Sequence, residues 1–172
     1  MTDSNQHYKI LGGFLILSLL VGCIGGERTT NRNPYFSLTD STKLRLPDQV
    51  WKEVLDNGVY VITRQKSTEL PFRNEYWNFG GEGNYHCAAC GSLLFCSIHK
   101  YDSGTGWPSF WQTAQANKVL FKQDYTQNMQ RVEVRCERCL GHLGHLFYNG
   151  PAPTHHRYCI NSLALRFIKK NK

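Results

Sequence analysis

Four of the chain's seven cysteines fall into two pairs of identical spacing, Cys87-Ala88-Ala89-Cys90 and Cys136-Glu137-Arg138-Cys139. A C-x2-C turn aims two sulfurs at one point. Two such turns supply the tetrahedral four-thiolate shell that zinc prefers. Gly91 follows the first pair directly and Gly141 lies two past the second, as tight turns require. The long interval from Cys90 to Cys136 makes the site a staple between distant parts of the chain. Two disulfides are the alternative, which an oxidising compartment would allow. Each would close a small ring more typical of redox sites than of structural ones.

A second chemistry is written around Cys159, in Arg157-Tyr158-Cys159-Ile160-Asn161. On a strand, Arg157, Cys159 and Asn161 project to one face, and Tyr158 and Ile160 to the other. A cation beside a thiol favours thiolate, the nucleophilic form. A buried, inert cysteine is the competing reading. Upstream, Gly141-His142-Leu143-Gly144-His145 offers two imidazoles that can hydrogen-bond a substrate oxygen or move protons. Ligation of zinc or hydrogen bonding in the core is the alternative for both.

These groups need a scaffold, and the sequence suggests a mainly β one. Aromatic residues make up 13% of the chain and Gly 15 residues, with no heptad pattern, which favours short strands and turns over a helical bundle. Val132 and Val134 alternate with charged neighbours as in a half-buried strand, and Tyr158 to Ile168 reads as another β-rich run. Leu46-Pro47-Asp48 opens a short helix that Asn57-Gly58 is expected to close, and a further helix is expected around Ser109–Ala116.

The N-terminus reads differently. Ile10 to Gly22 carries no charge and has the length of a signal-peptide core. Its end, Leu20-Val21-Gly22-Cys23, resembles the lipobox of bacterial lipoproteins, in which the Cys, here Cys23, is lipidated; an uncleaved anchor is the alternative. The expected organisation is a signal peptide over 1–22, a lipid-anchored flexible tether over 23–45, a domain over 46–168 and a basic tail over 169–172. Membrane attachment outside the cytoplasm, in the cell envelope, follows from either reading. The net charge of +7 falls to about +5 once four thiolates hold a zinc ion, and it demands no nucleic-acid partner.

Five ordered segments carry a more specific signal: STELPFRNEYW (67–77), CAACGSLLF (87–95), KYDSGTGWPSFW (100–111), RVEVRCERCLGHLGHLF (131–147) and GPAPTHHRYCINSLALRF (150–167). Together they resemble the methionine-R-sulfoxide reductases, the MsrB family, from about Leu46 to Ile168. The resemblance implies an antiparallel β fold of two sheets, barrel-like, with a few short helices and a structural zinc on Cys87, Cys90, Cys136 and Cys139. It implies reduction of the R epimer of methionine sulfoxide in oxidised proteins or peptides, with Cys159 as nucleophile. Trp107 then receives the substrate methyl group, and His142, His145, Arg157 and Asn161 complete the site. Cys159 would pass through a sulfenic acid, which a thiol must reduce. A thioredoxin-like donor and a monomeric enzyme are expected.

The chain departs from the family pattern where many members carry a resolving cysteine, since Thr105 stands there. Cys96 is the candidate resolving thiol, provided its Cα can approach that of Cys159 within about 7 Å. Direct attack by an external thiol is the other route. Leu140, His155 and Leu163 also differ from the residues common in the family. A zinc-ribbon binding module and a catalytically silent surface protein are the rival functions. The first has no use for Trp107, Cys159 and Asn161 together, and turnover of an R-sulfoxide peptide separates the second.

Overall fold

The computed structural model describes Met1 and residues 33–170. The expected signal peptide and Cys23 lie outside the described residues. Helices α1 (Asp48–Val54) and α2 (Asn57–Thr63) precede nine strands: β1 (Gly83–Cys87), β2 (Leu93–Cys96), β3 (Lys100–Tyr101), β4 (Ser109–Phe110), β5 (Val119–Asp124), β6 (Arg131–Cys136), β7 (His142–Phe147), β8 (Arg157–Ile160) and β9 (Leu165–Lys169). The strands form two antiparallel sheets, ordered β2-β1-β9 and β3-β4-β8-β7-β6-β5. The mainly β expectation is met. Among the described residues no helix is long and apolar enough to cross a membrane.

Two local expectations are corrected, and a third is refined. Asn57-Gly58 starts α2 instead of closing the first helix. The break falls at Leu55-Asp56, both extended, and burial of Tyr60 and Ile62 holds the second helix despite its early glycine. Ser109–Ala116 contains β4 and no helix, because Ser109 and Phe110 pair with Cys159 and Tyr158 on one side and with β3 on the other. The run from Tyr158 to Ile168 is two strands in different sheets. A single 3-10 turn, Ser162–Ala164, breaks it just past the cysteine.

The core that joins the sheets is aromatic. Tyr85 and Phe95 of the smaller sheet meet Phe110 of the larger, with ring centroids 5.0 and 4.4 Å apart, and Phe95 also meets Tyr158 at 5.6 Å. These rings are buried, and each removes a large apolar area from water. Tyr158 and Ile160 therefore point into the core, which turns Arg157 and Cys159 to the opposite face of β8.

Part of the expected tether is docked. Residues 33–45 dock on the two cysteine knuckles, while 23–32 lie outside the described residues. The Asn33 side chain donates to the Ala89 carbonyl (2.7 Å), Ser37 N–H to Cys90 (3.1 Å) and Leu44 N–H to Arg138 (2.7 Å). Arg138, inside the second C-x2-C pair, is buried and donates to the carbonyls of Tyr35 (2.9 Å), Thr42 (3.2 Å) and Cys90, and to Asp40 (2.6 Å). The polar side chains of this segment include hydrogen-bond partners for the knuckles. Gly91, at φ +82°, is required at the contact, since a Cβ would strike the Ser37 backbone. The tail is shortened too: Lys169 ends β9 opposite Gly83, and Lys170 N–H donates to Glu82 (3.3 Å).

Arg138→Met should remove a donor from the part-buried Tyr35 and Thr42 carbonyls and the ion pair to Asp40, at a cost of about 1–3 kcal/mol in all. A thermal melt several degrees below that of the parent checks this. An unchanged melting temperature would mean that the docked segment contributes nothing to stability.

Candidate active site

The thiols of Cys87, Cys90, Cys136 and Cys139 are fully buried, and their sulfurs all lie within 4.8 Å of one another. Cys87 and Cys139 are 3.7 Å apart at sulfur, and Cys90 and Cys136 3.6 Å. Disulfides, at about 2.05 Å, are excluded. A tetrahedron of zinc–sulfur bonds near 2.3 Å has edges of about 3.8 Å, so donor type, number and spacing all fit zinc. The shell is closed by protein ligands and sits between the sheets, joining the β1 end to the β6–β7 connection. The four cysteines form a structural zinc site.

Cys159 lies elsewhere, at the centre of the six-stranded sheet. Its Cα partners are Ser109 on β4 and His145 on β7. Gly144 permits the close approach: a Cβ there would collide with the Cys159 carbonyl oxygen. The partly exposed thiol opens into a cavity of about 110 Å³ that Trp107, His145, Asn161, Thr68 and Phe147 also line. Sites for drug-sized ligands run to about 300–1,000 Å³. This one admits the end of a side chain and excludes a bulky organic cofactor.

Each sequence-predicted group has a definite place. Trp107 closes one wall, its Nε1–H donating to the Glu69 carbonyl (3.2 Å). His145 donates from Nε2 to Asp124 (2.7 Å), leaving Nδ1 as its second ring nitrogen. Asp124 is held well below the usual carboxylate range, chiefly by the Thr126 hydroxyl and also by His145 and Arg131. Burial pushes the His145 imidazole down, so it is neutral at pH 7. Asn161 accepts the Glu69 N–H (3.1 Å) and donates to the Leu143 carbonyl (3.0 Å), which leaves one amide hydrogen for a ligand. His142 stands behind the cavity wall, buried, with Nδ1 donating to Glu133 (2.9 Å) and its ring 5.4 Å from that of His145. Burial opposes the charge on Glu133, but His142 and Lys66 outweigh it and hold the carboxyl at about 2.

Arg157 and Cys96 differ from expectation. The Arg157 guanidinium lies 4.2 Å from the Phe147 ring centre and bonds the Asn149 side chain (2.9 Å). It pulls the Cys159 thiol down, and the Thr105 hydroxyl, 4.0 Å from the sulfur, does so as well. Burial is stronger, and the thiol sits above its ordinary value. Burial thus works against the thiolate that the adjacent cation favours. Cys96 is on β2, in the other sheet, and lines a separate cavity with Gly80, Glu82 and Lys170. The structure does not bring it to Cys159.

Sequence reasoning missed Glu69, Asp124 and Glu133. Asp124 had a signal, since it pairs with Arg131 across a short β5–β6 hairpin. Glu69 had none within its own segment, because its partners lie 38 to 94 residues away.

The chain matches the model of the SelR domain over residues 55–169. It is 46% identical over 125 residues to a peptide methionine sulfoxide reductase MsrB of Hahella chejuensis, covering 73% of this chain and 90% of that one. The proteins of the same name from Thiobacillus denitrificans and Methanosarcina barkeri are 48% and 49% identical. They cover 72% and 70% of this chain, and 94% and 84% of their own.

A thiol raised above its ordinary value gains thiolate as pH rises. Peptide-resolved alkylation of Cys159 by iodoacetamide should still be accelerating at pH 9. A plateau near neutrality would show that the cation wins over burial.

Proposed function

The chain belongs to the SelR-domain family of peptide methionine sulfoxide reductases, and we propose that it reduces the R epimer of methionine sulfoxide in oxidised proteins and peptides. The observation that carries this reading is the cavity itself. It is sized for a side-chain end, walled by an indole on one side, and opens on a thiol flanked by an imidazole and an amide. An apolar wall suits the substrate methyl, and polar donors suit the oxygen. That opposition selects one configuration at sulfur.

The Cys159 sulfur attacks the sulfoxide sulfur, and the sulfoxide oxygen takes up protons. A resting thiol has an advantage here, since its own proton is available for transfer to that oxygen through His145. The oxygen leaves the substrate sulfur and ends on the Cys159 sulfur as the bond between the two sulfurs breaks, so methionine departs reduced by two electrons and Cys159, oxidised by two, becomes a sulfenic acid. His145 stays oriented by Asp124 throughout. His142 acts from behind the wall on the neighbouring ring and does not touch the substrate. Arg157 guards the outer face of β8 beside Phe147.

Regeneration follows from the position of Cys96. An external thiol attacks the sulfenic sulfur, water leaves, and a mixed disulfide forms. A second thiol then releases Cys159 reduced. A thioredoxin-like protein fits this role, and Thr105 occupies the place beside Cys159 that a resolving cysteine takes in many relatives. The zinc site needs no part in these steps.

We place the domain on the outer side of a membrane, anchored through Cys23, on the strength of the uncharged leader and the Leu20-Val21-Gly22-Cys23 ending. Two or three acyl chains anchor a protein stably where one is marginal. Such a domain meets oxidants early and contacts no nucleic acid. Nothing in its reaction requires a second copy, so it works as a monomer.

With dithiothreitol, the chain should turn over the R-sulfoxide of a methionyl peptide and leave the S epimer. Equal rates on both, or none on either, would refute the assignment. Mass spectrometry of the oxidised, non-reduced protein should find no Cys96–Cys159 linked peptide; finding one would replace the external thiol with an internal route. Expressed in a bacterium, the full chain should partition into detergent and lose that property on Cys23→Ala. Partition unchanged by that substitution would contradict lipid anchoring.

A further inference from the structure

Glu69 stands at a junction that the chemistry above does not use. It is almost completely buried, yet it makes no contact with Cys159 within hydrogen-bonding range. Its carboxylate accepts two successive backbone N–H groups, Ser162 to Oε1 (2.6 Å) and Leu163 to Oε2 (3.0 Å). These two residues begin the 3-10 turn directly after Asn161. Its own backbone N–H donates to the Asn161 side chain (3.1 Å), and its carbonyl accepts from the Trp107 indole (3.2 Å). One residue thus ties down the turn beyond the nucleophile's strand, the amide on one side of the cavity and the indole on the other. Thr68, its neighbour, lines the same cavity.

Two features make this more than ordinary bracing. A buried carboxylate costs solvation, and burial indeed pushes the Glu69 carboxyl up against the pull of the two N–H donors. An apolar residue in this place would leave those two donors unpaired, and a neutral amide has only one oxygen to offer them. Both walls that discriminate between substituents on the substrate sulfur are hydrogen-bonded to the backbone of the same residue. A displacement at residue 69 therefore moves them together.

We infer that Glu69 is a positioning residue that fixes Trp107 and Asn161 at the separation that distinguishes the R sulfoxide from the S. The inference rests on the reductase reading. Glu69 itself does not touch substrate. Its carboxylate is the anchor, and its main chain is the gauge between the two walls.

The test uses Glu69→Gln and Glu69→Asp in the full chain, beside the parent, with separate R- and S-sulfoxide peptides. Circular dichroism and zinc content establish that each variant is folded. If the parent reduces neither epimer, the reductase reading fails, and this inference with it. If the parent reduces R only, Glu69→Gln should raise KM for R by about tenfold or more while kcat falls less. The R-over-S preference in kcat/KM should shrink by a similar factor. Glu69→Asp keeps both acceptors on a shorter stem and should recover part of that preference. Parent-like KM and preference in a folded Glu69→Gln would overturn the proposal. So would equal losses of kcat for both epimers with the preference intact, the mark of general loosening. If Glu69→Gln fails to fold, Glu69→Asp decides alone: a reduced R preference supports the inference, and a parent-like one overturns it.

Discussion

The register of β8 between β4 and β7 is the constraint on which the rest of this structure depends. It sets Cys159 directly between Ser109 and His145. A shift by one residue would turn the thiol into the aromatic core and bring Tyr158 or Ile160 out in its place. The register is held from both faces. Tyr158 and Ile160 are buried against the core, and Gly144 lets the β8 backbone lie close enough to the histidine strand to keep the ladder intact. Nucleophile and imidazole are therefore neighbours by backbone pairing, before any side-chain contact is considered.

The zinc site and the docked segment serve this register at a distance. β6 and β7 are consecutive strands joined through the Cys136–Cys139 knuckle, and β1 ends in the Cys87–Cys90 knuckle. Tying the knuckles together fixes the smaller sheet to the β6–β7 connection of the larger one. Closed four-thiolate shells add to folding free energy and offer no position for substrate. Arg138 extends the staple to residues 33–45, which lie outside the span matched by the family model. These residues pack on the side of the four cysteines and do not line the cavity at Cys159.

Much of this was legible in the sequence, and the reasons are physical. Paired C-x2-C spacing encodes a tetrahedron directly, and period-two burial around Cys159 encodes which way the thiol faces. The expectations that failed were those decided by long-range pairing. Asn57-Gly58 looks like a helix end, but burial of Tyr60 and Ile62 makes it a beginning. Tyr158 to Ile168 reads as β-rich, and what divides it is the turn after Asn161, pinned by Glu69 from another part of the chain. The electrostatics of Cys159 were half legible for the same reason. Arg157 is visible beside it in sequence, while the burial that outweighs Arg157 is a property of the assembled sheet.

The account comes down to one sulfur taking oxygen from a methionine side chain within this ladder. A single-turnover experiment without added thiol, with dimedone present, measures that event. The account predicts one methionine formed per chain from the R epimer and dimedone covalently attached at Cys159. Methionine formed without label at Cys159, or label at Cys96 instead, would contradict it.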